Sequence, residues 1–108
     1  MLKDIITQFD ALDIREKRSI TDAYCELVFY SKDIDRWNNI CSDLFGKAVK
    51  PAGAKPTKDD LSLAEKYGGI FANQVLFKKD FGNFIVIVMF WPWQDATHTT
   101  LKMAVLNK

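Results

Sequence analysis

The single histidine, His98, is the first residue to consider for chemistry, because histidine can act as an acid, a base or a metal ligand near neutral pH. One histidine excludes sites built from several histidine ligands and the HExxH arrangement of zinc peptidases. Any Cys–His or Ser–His catalytic pair would have to use His98. It lies among threonines at the start of the last predicted strand, where we expect it to be exposed. We therefore predict no catalytic residue.

The two cysteines, Cys25 and Cys41, form no CxxC motif and are too few for a disulfide framework. Both are flanked by residues of predicted apolar helix faces. A reactive thiol needs a nearby cation, and the sequence places none beside either cysteine. We predict two free and buried thiols.

Carboxylates are numerous, but most aspartates occur where helix caps and turns favour this residue. The segment DID at 33–35 lacks the regularly spaced oxygen ligands of a calcium loop. Neither GxGxxG nor GxxxxGK[ST] occurs, so the sequence contains no recognisable phosphate-binding loop. We therefore predict no metal site and no cofactor.

The charge pattern bears on partners and location. The formal net charge of +1 gives no overall field that would attract nucleic acid or an anionic membrane. Lys78, Lys79 and Lys102 lie on or beside a predicted aromatic sheet, but arginine is scarce and no RRM octapeptide occurs. No stretch approaches the roughly 20 apolar residues of a membrane helix, and the N-terminal residues do not resemble a signal peptide. We predict a cytoplasmic protein with neither a nucleic-acid nor a membrane partner.

Helical spacing of apolar residues is found through the first two thirds of the chain. It predicts three to four helices, at 2–9, 14–30, 33–46 and 57–67. Gly46 lies where the third helix should end, and Gly68 where the fourth should end. Thr57 and Asp60 have the spacing of a capping box. The lysine- and proline-containing segment 47–56 predicts a solvated loop that is too short to separate domains.

After Gly68 the apolar period changes from 3.6 to 2 residues, which indicates strands. The three strand segments are 71–79, 84–93 and 97–106, and DFGN forms the first turn between them. Helices followed by a three-stranded antiparallel meander predict the α+β class, with the helices packed on one face of the sheet. We predict a single domain over residues 1–108.

The middle strand of this meander, FIVIVMFWPW at 84–93, has no charged residue, although a strand with one face in water should alternate. With a two-residue turn before it, Lys78 faces Ile85 across the strands. The face away from the helices then carries an apolar stripe: Ile85, Ile87, Met89 and Trp91. A one-residue bulge would exchange this stripe for the alternate residues 84, 86, 88 and 90.

Burying four such side chains contributes roughly 6–12 kcal/mol, which is comparable with the roughly 5–15 kcal/mol stability of a whole domain. We therefore expect the stripe to be covered. The candidates are the N-terminal helix, a second copy of the chain and an apolar ligand. Self-matching patches are the commonest basis of soluble dimers, which gives the second copy equal standing with the first candidate.

Trp91 and Trp93 flank a proline at the end of this strand, and tryptophan is enriched at interface hot spots. The alternative is that the two indoles close the end of the core. The interface or pocket candidates are Ile85, Ile87, Met89, Trp91 and Trp93. We predict a non-enzymatic interaction module, as a homodimer or as a subunit or adaptor for another protein. The alternative is a small-molecule-binding domain with an apolar pocket between sheet and helices, lined by Trp91, Trp93 and Tyr67.

Overall fold

The computed structural model describes residues 2–107, and within them a five-stranded antiparallel sheet packs against three α-helices. The helices are α1 (Leu2–Ile6), α2 (Ile34–Phe45) and α3 (Lys58–Ala64). Single 3-10 turns extend them at Thr7–Phe9, Ser31–Asp33 and Glu65–Tyr67. The strands are β1 (Ile14–Ile20), β2 (Tyr24–Tyr30), β3 (Val75–Asp80), β4 (Phe84–Pro92) and β5 (His98–Asn107). Their order across the sheet is β1-β2-β5-β4-β3.

The segment 14–30, predicted as a long helix, is instead the β1–β2 hairpin, so the prediction of a three-stranded meander is wrong. Thr21 makes the turn. Its hydroxyl accepts a hydrogen bond from the backbone N–H of Tyr24 at 2.9 Å, and its own N–H donates to the carbonyl of Tyr24 at 3.0 Å. Apolar residues of β2 fit a period of 2 as well as helical spacing, and pairing with β5 selects the strand.

The predicted helix ends are confirmed around α2 and α3. Gly46 follows α2 with φ of 82°, and Gly68 follows the 3-10 turn after α3 with φ of 98°. Thr57 accepts a hydrogen bond from the N–H of Asp60 at 3.1 Å, and the Asp60 carboxylate accepts one from the N–H of Thr57 at 2.9 Å. This is the predicted capping box. None of the helices within residues 2–107 combines the length and apolar character needed to cross a membrane.

The first face of the sheet packs against α1 and α2. Trp37 of α2 lies at the centre of this core, fully buried, with its ring stacked between Phe9 at 4.9 Å and Phe29 at 4.3 Å. Cys25 and Cys41 are free and buried in the same cluster, as predicted, although Cys25 lies on a strand and not on a helix. Large aromatic side chains therefore hold this layer together.

The second face carries its own core, and α3 packs on it, so the prediction of helices on one face only is wrong. Ile87 and Met89 are 0% and 1% exposed because Ala64 of α3 and Ile70 after it cover them. Lys78 pairs with Ile87 and not with Ile85. The observed register thus differs from the predicted one by two residues. A shift of two leaves every side chain on the same face of the sheet, so the residues of the stripe share one face as predicted.

The segment 47–56, predicted as a solvated loop, contains a buried lysine. Lys50 is 1% exposed, and its Nζ donates hydrogen bonds to the carbonyl oxygens of Pro51, Ala72 and Gln74. Its backbone also pairs with Leu76 of β3. Burial lowers the pKa of the Lys50 ammonium. The ammonium thus connects this segment to the residues that lead into β3.

Candidate functional site

Part of the second face lies beyond the residues that pack against α3. Four residues project there: Val28 and Tyr30 of β2, Trp93 just after β4, and His98 at the start of β5. None of them belongs to the core that packs against α3, which we call the α3 core. We call this region the open half of the second face. It contains a cleft of about 280 Å³ whose lining residues are Arg15, Glu16, Val28, Trp93 and His98.

His98 is fixed at the edge of the cleft by Asp95. The Nδ1 atom of His98 lies 2.7 Å from Oδ2 of Asp95, and the other oxygen of Asp95 accepts the backbone N–H of Thr97 at 2.8 Å and of His98 at 3.1 Å. The hydrogen bond from His98 and the two backbone donors lower the pKa of Asp95 to about 2. An ionised carboxylate only accepts hydrogen bonds, so Nδ1 carries the proton. The predicted exposed histidine is thus partly buried and orientated.

The rings of Trp93 and His98 form the aromatic wall of the cleft, and the ring of Tyr30 contacts His98. The ring centroid of His98 lies 4.8 Å from that of Trp93 and 5.4 Å from that of Tyr30. Nε1 of Trp93 donates to Oγ1 of Thr100 at 2.7 Å. The guanidinium of Arg18 lies 5.3 Å from the centroid of the Trp93 ring. With its N–H paired and a cation beside its ring, the Trp93 side chain is held in one orientation.

The charges around the cleft are mostly paired. Arg18 contacts Glu16 at 3.2 Å and Glu26 at 3.4 Å. Glu26 also accepts the hydroxyl hydrogen of Tyr24 at 2.6 Å, and burial together with this carboxylate raises the pKa of Tyr24. Arg15 differs, because no partner for its exposed guanidinium lies among residues 2–107. The cleft therefore has one unpaired cation at its edge.

Trp91 has a different environment from Trp93. Nζ of Lys102 lies 3.4 Å from the centroid of the Trp91 ring and donates to the carbonyl of Tyr67 at 3.0 Å. Burial lowers the pKa of this ammonium. The indole packs against Gly68 behind α3, and its buried Nε1 has no hydrogen-bond partner within residues 2–107. Trp91 therefore forms the border between the α3 core and the open half.

The structure separates the five residues predicted as interface or pocket candidates. Ile87 and Met89 are buried, and Ile85 is partly buried against the same α3 core. Trp91 lies at the border of that core. Trp93 alone among the five lines the cleft.

Sequence reasoning missed Arg15, Glu16 and Val28 because it placed them on a helix. A signal was present. The segment REKRS lacks helical periodicity, whereas Cys25, Leu27, Val28 and Phe29 of the next segment fit helical and strand spacing alike. The missing periodicity at 15–19 is therefore a local sign against a helix, but it does not by itself predict the β1–β2 hairpin.

Two other clefts are present. One, of about 440 Å³, lies between α2 and the sheet and has Val75 and Phe90 among its lining residues. The other, of about 500 Å³, lies beside α3 and is lined by Tyr67 and Ile85 among others. Each of these two clefts has one aromatic ring and one lysine among its lining residues, Phe90 with Lys47 and Tyr67 with Lys66, whereas the cleft of the open half places two rings beside an arginine. Within residues 2–107 no group of three or more histidine, cysteine, aspartate or glutamate side chains could hold a metal ion.

No protein-family model matches the chain, and no curated protein and no solved structure matches it. The geometry of the cleft is therefore the basis for a functional proposal.

Proposed function

We propose that this protein is a non-enzymatic binding domain that holds a small molecule in the cleft of the open half. The observation that carries the proposal is the fixed orientation of Trp93, whose Nε1 is paired with Thr100 at 2.7 Å beside the ring of His98. Small-molecule sites are concave, largely preformed, and lined by aromatic side chains with a few placed polar groups. This cleft has these properties, with buried Val28 as its apolar floor.

Binding accounts for the polar groups better than catalysis does. The Asp95 carboxylate accepts two backbone N–H groups of the β4–β5 connection as well as the His98 ring. Holding this connection in place explains the Asp95–His98 pair without a reaction. The remaining lining residues supply an aromatic surface and charges, which are the components of recognition.

A titration by two-dimensional NMR with a set of small aromatic compounds of different charge tests the proposal. We expect binding compounds to move the Nε1–H signal of Trp93 and the methyl signals of Val28. Trp93→Ala removes the indole signal itself, so binding to this variant is followed through Val28. We expect the ligand-induced shifts of the Val28 methyl signals to be abolished while the circular dichroism spectrum stays native. Phe81→Ala, which removes an exposed aromatic ring outside the cleft, is the matched control and should bind as the wild type does. Shifts confined to the α2 cleft, or no shifts, would exclude the proposal.

The homodimer predicted from the sequence is a second proposal. An uncovered apolar stripe does not support it, because α3 of the same chain lies over Ile87 and Met89. The aromatic and arginine side chains of the open half are residue types that interfaces favour, and they support a dimer through this region instead. Analytical ultracentrifugation across a wide concentration range tests it, since a mass of 12.4 kDa throughout would exclude the dimer.

A further inference from the structure

We infer that the ligand of the cleft is a small aromatic acid, in which a carboxylate is attached to a flat system of one or two rings. This inference rests on the proposed function and names the chemistry that the cleft selects. Three features support it: the unpaired charge of Arg15, the flat apolar surface beside it and the size of the space.

The charged lining residues leave one group available to an anion. Glu16, the carboxylate among the lining residues, is paired with Arg18 at 3.2 Å. Asp95 lies outside the lining residues and holds the ring of His98 at 2.7 Å. No hydrogen bond or ion pair within residues 2–107 involves the guanidinium of Arg15, so its donors are available to a ligand. A guanidinium presents two parallel N–H groups that match the two oxygens of a carboxylate.

The apolar surface favours a flat body. Val28, 1% exposed, forms the floor, and the indole of Trp93 and the imidazole of His98 stand at 36° to each other as a wall. Trp93 is already held by Thr100 and Arg18, so packing a ring against it costs little additional side-chain entropy. A planar group can therefore contact the floor and the wall while its carboxylate reaches Arg15.

The size of the cleft limits the ligand. Its volume of about 280 Å³ lies just below the roughly 300–1,000 Å³ range of small-molecule sites. A nucleotide or an extended peptide would leave most of its surface outside. One or two fused rings with a single anionic group are the size that the cleft can enclose.

The test compares three probes of nearly equal shape: 2-naphthoate, its uncharged amide 2-naphthamide, and 2-naphthylmethylammonium. Binding is followed through the Nε1–H signal of Trp93 and by calorimetry. We expect 2-naphthoate to bind at least about tenfold more tightly than the amide, a difference of about 1.4 kcal/mol. The ammonium compound should bind more weakly than the amide.

Arg15→Gln should remove the tenfold preference for the acid over the amide, because it weakens the binding of the acid far more than that of the amide. Arg36→Gln is the matched control, because Arg36 is an exposed arginine of α2, on the other side of the sheet. If the amide binds as tightly as the acid, or if the ammonium binds best, the inference is wrong while binding in the cleft stands. If no probe moves the Trp93 signal, the proposed function fails as well. If Arg36→Gln removes the preference as Arg15→Gln does, the acid is not recognised through Arg15.

Discussion

Lys50 and Ala72, 22 positions apart in the sequence, are joined by a hydrogen bond of 2.9 Å from the ammonium nitrogen to the carbonyl oxygen. The same ammonium donates to the carbonyls of Pro51 and Gln74. A single buried cation thus donates to three backbone carbonyls. Those of Pro51 and Ala72 also accept the N–H of Ala54 at 3.2 Å and of Gly53 at 2.6 Å, whereas no other donor to the Gln74 carbonyl lies within residues 2–107. Buried carbonyl groups without donors are costly, which makes Lys50 a structural residue.

Replacing Lys50 by methionine should therefore lower the free energy of unfolding by about 1–3 kcal/mol, because the buried carbonyl of Gln74 loses its donor. Chemical denaturation with urea measures the change. Lys47→Met is the matched control in the same segment, since Lys47 is exposed, and it should change stability by less than about 0.5 kcal/mol. Equal losses in the two variants would show that the ammonium hydrogen bonds are unimportant.

The contact between Gly68 and Trp91 gives a second prediction. Gly68 has φ of 98°, and a Cβ atom added there would overlap Cη2 of Trp91. Gly68→Ala should cost about 2–5 kcal/mol, from about 1–2 for the left-handed backbone and about 1–3 for overpacking. Gly69→Ala has the same backbone strain at φ of 84° but open space around its Cβ, so it should cost only about 1–2 kcal/mol. Thermal and urea unfolding of both variants separate the two effects, and a similar loss in each would exclude the steric contact.

The stacked position of Trp37 predicts a large but specific effect. Trp37→Ala should lower the free energy of unfolding by about 3–5 kcal/mol, because it empties the space between two aromatic rings. Trp37→Phe should cost clearly less, since a ring remains and the buried Nε1 has no hydrogen bond to lose within residues 2–107. A loss well below 1 kcal/mol for the alanine variant would contradict the packing of α2 on the first face.

The cysteines should be unreactive in the folded protein. Burial raises the pKa of both thiols, and only the thiolate is nucleophilic. A chromogenic thiol reagent at pH 8 should therefore detect almost no thiol in the native protein and both Cys25 and Cys41 after unfolding in denaturant. Rapid reaction of the native protein would show that at least one of the two side chains is accessible.

The raised pKa of Cys41 also predicts a change of stability with pH. The unfolded chain loses its thiol proton near the ordinary value of 9.0, whereas the folded chain keeps it to higher pH. The stabilising contribution is complete below 9.0 and is lost as the pH rises above it. Urea unfolding between pH 7 and 10.5 should therefore show a decline that is smaller in Cys41→Ala. Equal slopes would contradict burial of this thiol.

The parts of the fold that local signals specify could be predicted from the sequence. The capping box of Thr57 and Asp60 and the glycines at 46 and 68 place the ends of α2 and α3. β3 and β5 follow from their alternation, and β4 follows from the apolar run between them and from the DFGN turn before it. These signals act over a few residues, so no tertiary information is needed to read them.

The β1–β2 hairpin could not be read in this way, because its decisive interactions are distant in the sequence. Tyr24 pairs with Ala104 and Tyr30 with His98, and nothing near β2 indicates that partner. The cleft was missed for the same reason. Its residues Arg15, Glu16 and Val28 meet Trp93 and His98 only after β2 has paired with β5.

The strand order has a consequence for how the chain folds. β5 is the last strand in the sequence but the central one in the sheet, between β2 and β4. During synthesis the β1–β2 hairpin and the β3–β4 hairpin therefore emerge without the strand that joins them. Apolar side chains of β2 such as Leu27 and Phe29 stay exposed over that interval, which makes the nascent chain vulnerable to aggregation. Sequence-distant pairing also slows folding, so we expect this domain to fold more slowly than a helical protein of equal length.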